Sequence, residues 1–327
     1  MPTNLPAEYY DADEKFRQAT DPEERVELLE DLISTIPKHK GTDKLRADLR
    51  RKLSKMRAAA SAKPKASRHD SPYHIDPEGA GQVVLCGPAN AGKSSLLGAV
   101  SNAEPEVADY PFSTWGPTPG MMQIENIQVQ LIDTPAIDRD FIEPEHVDLI
   151  RRSDVVLVVI DLQDFPFEQL SESAEFLAGH RIFPAADKPE RPERGDVYPP
   201  WVVAVNKVDD ENLDEDFDVF VSLLDRPWRL TRVSALAHRN LDELGWALYD
   251  ALGIIRVYSK APGREPDRSA PFVLPIGATV EDFAGRVHQD FLRELKAARL
   301  WGSAEFEGQQ VARDYPLQEG DIVELRT

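Results

Sequence analysis

Residues 83–96 read VVLCGPANAGKSSL: an apolar run, a turn bounded by two glycines, and the first residues of a helical pattern. Within it, Gly87-Pro88-Ala89-Asn90-Ala91-Gly92-Lys93-Ser94 fits G-x-x-x-x-G-K-S between a predicted strand and a predicted helix. Gly87 and Gly92 allow the backbone amides of such a turn to point inward at phosphate oxygens. The helix that follows presents its positive N-terminal end to the same anion. In this reading Lys93 neutralises the terminal phosphates, the Ser94 hydroxyl ligates Mg²⁺, and Ser95 adds an amide or hydroxyl. The loop alone does not separate ATP from GTP.

The base is read further along. Asn206, Lys207 and Asp209 stand in AVNKVD, at the end of an apolar run. Guanine offers an N1–H and a 2-amino group, both of which a carboxylate such as Asp209 accepts. Adenine has no N1–H and leaves that carboxylate unpaired. Asn206 suits the guanine edge and the Lys207 stem the face of the ring, while Ser234-Ala235-Leu236 offers amides for guanine O6. Between the loops, Asp133 in LIDTPA is placed to hold Mg²⁺ through a water. Thr114 in YPFSTWGPTPG is the candidate to reach Mg²⁺ and the terminal phosphate, with Thr118 its rival.

Around these motifs, GQVVLC, VQLID, DVVLVVID and PWVVAVNK are short Val/Ile-rich runs with little polar alternation, separated by helical stretches. That pattern predicts parallel strands covered on both faces, a doubly wound α/β sheet. MMQIENIQ is a candidate antiparallel edge strand, and FPAADKPERPERGDVYPP (183–200) a surface loop. Beyond Gly253, IRVYSKA, PFVLP and DIVEL read as strands, and TVEDFAGRVHQDFLRELKAAR as one amphipathic helix, a small α+β module. The boundaries expected are a helical, partly basic region over 1–70, a nucleotide domain over 81–253 and the α+β module over 254–327.

The N-terminal region reads as a helical hairpin. Asp21, Pro22 and Glu24 supply a cap, first helical residue and capping-box partner, and Val26, Leu29, Leu32 and Ile33 recur at helical spacing. Leu45, Leu49, Leu53 and Met56 line the second arm. The formal charge of the 327 residues is −20, yet residues 36–68 hold twelve Lys or Arg against two Asp. That basic arm fits RNA phosphate, or else a solvated helix face, while the acidic remainder argues against a nucleic-acid sheath. The lone Cys86 excludes an intrachain disulfide and suits a reducing, cytoplasmic compartment. No apolar run approaches the length of a membrane helix and the N-terminus is not a signal peptide.

Assembled in order, GPANAGKSSLL, ADYPFSTWGPTPG, NKVD and VSAL resemble the Obg branch of GTPases, and within it the developmentally regulated GTP-binding proteins. The C-terminal IRVYSKAPGREPDRSAPFVLPIGATVEDF, Trp301-Gly302 and EGDIVEL resemble that family's TGS domain, a β-grasp module. The resemblance implies a P-loop GTPase doubly wound sheet, GTP/GDP binding with Mg²⁺, slow hydrolysis, and association with ribosomes or RNA or with a protein partner. It also implies K⁺ coordination at Asn90. Two departures stand out. The family's D-x-x-G reads Asp133-Thr134-Pro135-Ala136, and Ile137 follows where a glutamine would orient water. Asp138 and Asp140 are acidic residues near enough in sequence to position that water. A GTP-binding interaction protein with negligible hydrolysis is therefore the alternative to a GTPase switch. NKVD disfavours an ATPase or small-molecule kinase.

Overall fold

The computed structural model describes residues 28, 29, 32, 33, 35, 71–101, 116–138 and 142–326. The chain divides into two compact units, Met1–Ser71 and Pro72–Thr327. In the first, the described residues Leu28, Leu29, Leu32, Ile33 and Thr35 are helical, with Leu29 and Leu32 buried. The second arm of the expected hairpin, including all of 36–68, lies outside the described residues.

The second unit is built on two sheets. The first contains β1 (Gln82–Cys86), β2 (Thr118–Ile124), β3 (Ile127–Asp133), β4 (Val155–Asp161), β5 (Trp201–Asn206) and β6 (Leu230–Arg232) in the order β2-β3-β1-β4-β5-β6. β2 pairs antiparallel with β3 at the edge, and every other pairing is parallel. Period-two alternation explains why these strands read as unbroken apolar runs. Val83 and Leu85 join the core on one face, Val84 and Cys86 the core on the other, and all four are fully buried. Burial pushes the Cys86 thiol up to about 12, so it packs as a small hydrophobe. Helices α1 (Lys93–Val100), α2 (Pro144–Arg152), α3 (Pro166–Gly179), α4 (Leu213–Ser222) and α5 (Leu241–Leu252) connect the strands. α2 shows the sequence logic: Pro144 opens it, Glu145 lies in its first turn, and Arg151 and Arg152 close it against the helix dipole.

The second sheet comprises β7 (Ile254–Ser259), β8 (Phe272–Pro275), β9 (Ala297–Trp301), β10 (Gln309–Val311) and β11 (Ile322–Arg326), ordered β10-β9-β11-β7-β8. α6 (Val280–Val287) packs on it through Val280, Phe283 and Ala284, and starts at a capping box between Thr279 and Asp282. The single helix expected over TVEDFAGRVHQDFLRELKAAR is corrected here. α6 stops at His288, whose backbone is extended at φ −168°, and α7 (Gln289–Glu294) is a separate short helix. The residues Ala297–Trp301 then form β9. Ala298 and Leu300 face the core opposite Leu325 and Val323, so cross-strand burial overrides the helix preference of the alanine pair.

The two sheets are joined where the β2–β3 turn meets β7. The Arg256 guanidinium donates to Glu125 Oε2 (2.5 Å), Asn126 Oδ1 (2.9 Å) and Glu319 Oε1 (2.7 Å), while the Tyr249 hydroxyl donates to Glu319 Oε2 (2.5 Å). Asn126 Nδ2 returns a bond to the Tyr258 hydroxyl at 2.9 Å. The Arg256 side chain is 11% exposed and lies near the rings of Trp246 and Tyr249. Removing it takes the guanidinium from Glu319, Glu125 and Asn126 Oδ1 and leaves Glu319 only the Tyr249 hydroxyl and the residue-256 amide. Arg256→Ala is therefore expected to cost about 2 kcal/mol, read as a lower midpoint in urea. Burial opposes charge on Glu319, but the Tyr249 hydroxyl and the Arg256 amide and guanidinium hold its carboxyl below the ordinary glutamate range. A folded-state pKa below the unfolded one stabilises above about pH 4.3 and loses that contribution as pH falls through the folded value. The deficit of Arg256→Ala relative to the parent chain should therefore shrink under acid conditions. A deficit constant from neutral to acid pH would exclude this carboxylate as the anchor.

Candidate nucleotide site

The C-terminal ends of β1, β3, β4 and β5 converge on one edge of the first sheet, where doubly wound folds bind ligands. β1 runs straight into Gly87. Its φ of +145° and the Val159 carbonyl, 2.2 Å from where a Cβ would stand, admit only glycine. The loop turns again at Asn90 (φ +61°) and at Gly92 (φ +90°), and Gly92, as the N-cap of α1, supplies no capping side chain. The positive N-terminal end of such a helix favours an anion. Lys93 is buried, and its ammonium donates to the carbonyls of Gly87 (2.9 Å) and Pro88 (2.7 Å), across the mouth of the loop.

Opposite the loop, β3 ends in Asp133, fully buried. Its Oδ2 accepts from the Ser94 hydroxyl at 2.5 Å, while Oδ1 has no hydrogen-bond partner among the described residues. Burial pushes this carboxyl above the usual aspartate range, against the pull of Ser94 and Lys93. A buried carboxylate oxygen without a donor, beside a serine hydroxyl, is the oxygen set a hard divalent cation requires, so these residues fit Mg²⁺. Thr114 lies outside the described residues. Thr118 opens β2 directly across the ladder from Asp133. Thr134 is fixed by its hydroxyl on the Leu85 carbonyl at 2.6 Å. Ala136 keeps a negative φ and is buried, so the backbone here accommodates alanine in place of glycine.

The segments expected to read the base sit on the β5 side. Asn206, nearly fully buried, donates from Nδ2 to the Ala91 carbonyl (2.9 Å), and its Oδ1 accepts from the Ala235 amide (3.1 Å). Its side chain thus ties the phosphate loop to the Ser234–Leu236 segment. The Ser234 amide is used by the Arg239 carbonyl, which leaves Leu236 as the amide of that tripeptide with no partner among the described residues. The Ser234 hydroxyl donates to Asp209 Oδ1 at 2.5 Å and orients that carboxylate. Lys207 adopts φ +64° and pairs with Asp161 at 2.5 Å.

Three supporting residues escaped the sequence reading. Asp161 ends β4 in register with Asn206 and holds the Lys207 ammonium. Gln163 donates to the Lys207 carbonyl at 2.8 Å. Arg239 fastens NKVD and the stretch after it through the carbonyls of Val208 and Asp210 and the Asp214 carboxylate. Asp161 carried a signal, since it is a carboxylate at the end of VVLVVID just as Asp133 ends VQLID.

Comparison with known proteins agrees with this geometry. A family model described as 50S ribosome-binding GTPase matches residues 82–188, and the TGS domain model matches residues 255–327. An uncharacterized GTP-binding protein of Halobacterium salinarum is 28% identical over 93% of this chain and 98% of its own length. Developmentally-regulated G-protein 1 of Arabidopsis thaliana is 26% identical over 92% of this chain and 90% of its own. Developmentally-regulated GTP-binding protein 1 of Xenopus laevis is 23% identical over 92% and 98%. The chain is DRG-like, with a GTPase-type domain followed by a C-terminal TGS domain. The fold of this DRG-like chain also matches the YchF GTPase of Schizosaccharomyces pombe, with TM-score 0.52 and 13% identity over 77% of this chain and 99% of that one. No described helix is long and apolar enough to cross a membrane.

Proposed function

We propose that this chain is a cytoplasmic, Mg²⁺-dependent guanine-nucleotide switch that hydrolyses GTP slowly and works with ribosomes or RNA. The observation that carries the reading is the Asn206 side chain, which links the Ala91 carbonyl of the phosphate loop to the Ala235 amide beside the Asp209 carboxylate. One nucleotide bridging these segments has its phosphates in the Gly87–Ser95 loop and its purine between Lys207, Asp209 and Leu236.

Ser94, Thr114 and, through a water, Asp133 would hold Mg²⁺, which supplies charge neutralisation at the phosphate oxygens when bound. Lys93 adds a second positive charge at the loop mouth, and the loop amides stabilise charge as it develops on the transferred phosphoryl group. With Ile137 in place of a water-orienting glutamine, turnover is slow and depends on a monovalent cation or a partner. The exposed Asn90 carboxamide, at the rim of the loop, is the group we assign to K⁺. The basic residues 36–68 engage RNA phosphate and the TGS domain docks on a partner, within domain limits of 1–70, 81–253 and 254–327.

The second reading, a GTP-binding interaction protein with negligible hydrolysis, is favoured by the buried Ile137 side chain beside the loop. Single-turnover GTP hydrolysis in K⁺ and in Na⁺, with and without ribosomes, separates the two. The switch predicts faster hydrolysis in K⁺ and a further rise with ribosomes. No turnover in any of the four conditions would establish the second reading instead.

A further inference from the structure

The segment after Asp133 is docked on the phosphate loop by two bonds. The Ile137 amide donates to the Gly87 carbonyl at 3.3 Å, and both carboxylate oxygens of Asp138 accept from the Ala89 amide at 3.1 Å. Ile137 is buried, whereas Asp138 is exposed. Among the described residues no cation pairs with Asp138, and the Ala89 amide is its one hydrogen-bond donor. A negative group therefore already rests on an N–H of a loop whose amides converge on an anion. The hold is weak, a single amide at the surface, so it is reversible. The Gly87 carbonyl also accepts from Lys93, so the ammonium and the docked segment share the same rim of the loop.

From this we infer that Asp138 is an internal anion that competes with the terminal phosphate of a nucleoside triphosphate at the Ala89 end of the loop. This rests on the guanine-nucleotide reading above. A triphosphate brings its extra charge to the rim where the Asp138 carboxylate sits, and two like charges at hydrogen-bond range from one amide repel each other. A diphosphate lacks that third group and leaves the contact intact. Binding of triphosphate is thus coupled to release of residues 137–138 from the loop, and Asp138 sets the preference between the two nucleotides. Because Asp138 is held from the backbone of Ala89, the device does not depend on the side chain at position 89.

The test measures the affinities of the full chain for GDP and for a non-hydrolysable GTP analogue, with Mg²⁺, in the parent chain, Asp138→Ala and Asp138→Asn. Asp138→Ala should tighten the analogue by about 10-fold, in the range usual for coupled sites, and change GDP less than twofold. Asp138→Asn, which keeps an acceptor but loses the charge, should shift the same ratio in the same direction. Thermal midpoints within a degree or two of the parent exclude a folding effect, as expected for an exposed side chain. An unchanged analogue-to-GDP ratio in both variants, or a weaker analogue in Asp138→Ala, overturns the inference while leaving nucleotide binding standing. A parent chain that takes up neither nucleotide overturns the underlying reading and the inference together.

Discussion

Replacing Asp209 with asparagine is expected to lower GTP affinity by about 10³-fold and to raise that for xanthosine triphosphate, because a site built on paired hydrogen bonds rejects a base that leaves them unmade. Asp209 is held for this role by the Ser234 hydroxyl, 2.5 Å from Oδ1, and its other oxygen has no partner among the described residues. A carboxylate accepts from guanine N1–H and the 2-amino group. The carboxamide presents one acceptor and one donor, which suits the 2-carbonyl of xanthine. Competition of labelled GTP by the two unlabelled triphosphates measures the exchange of preference. If GTP remains preferred by the same margin, the purine is not read by this carboxylate.

The second large effect comes from Gly92→Ala. Gly92 has φ +90°, where a side chain costs about 1–2 kcal/mol, and an added Cβ would stand 2.2 Å from Asn206 Nδ2. The Asn206 carboxamide must then move, and with it go the bonds to the Ala91 carbonyl and the Ala235 amide. One methyl group thereby disturbs the phosphate loop and the base-side segment at once. A loss of about 100-fold in affinity for GTP, about 3 kcal/mol, is expected by calorimetry. Gly179→Ala is the control, since nothing lies within 4 Å of its Cβ and its φ is ordinary. The double variant Gly92→Ala with Asn206→Ala should cost less than the two single changes added together, because the clash disappears with the carboxamide. Strict additivity would mean that Gly92 acts through its backbone strain alone.

Much of this site was legible in the chain. A parallel strand buried on both faces writes itself as an apolar run, and VVLC, VQLID, VVLVVID and WVVAVN are such runs. Their ends are marked by a residue that turns the chain or a buried polar side chain: Gly87, Asp133 and Asn206. The C-terminal module was read less completely. β9 and β10 were missed because Lys-Ala-Ala-Arg favours a helix locally, and β10 is three residues long. Ala298 and Leu300 become strand residues only when Val323 and Leu325 lie alongside.

What the sequence determined by itself was the kind of ligand, because a glycine-bounded turn between strand and helix and a carboxylate suited to guanine are local chemical facts. What the tertiary structure alone decided was how those facts are joined. Asn206 reaches the Ala91 carbonyl across 115 residues of chain, Asp138 rests on the Ala89 amide, and Arg256 ties the β2–β3 turn to the second sheet. Such contacts leave no periodicity or spacing to read. They exist because parallel strands deliver their C-terminal ends to one edge, whatever length of chain separates them.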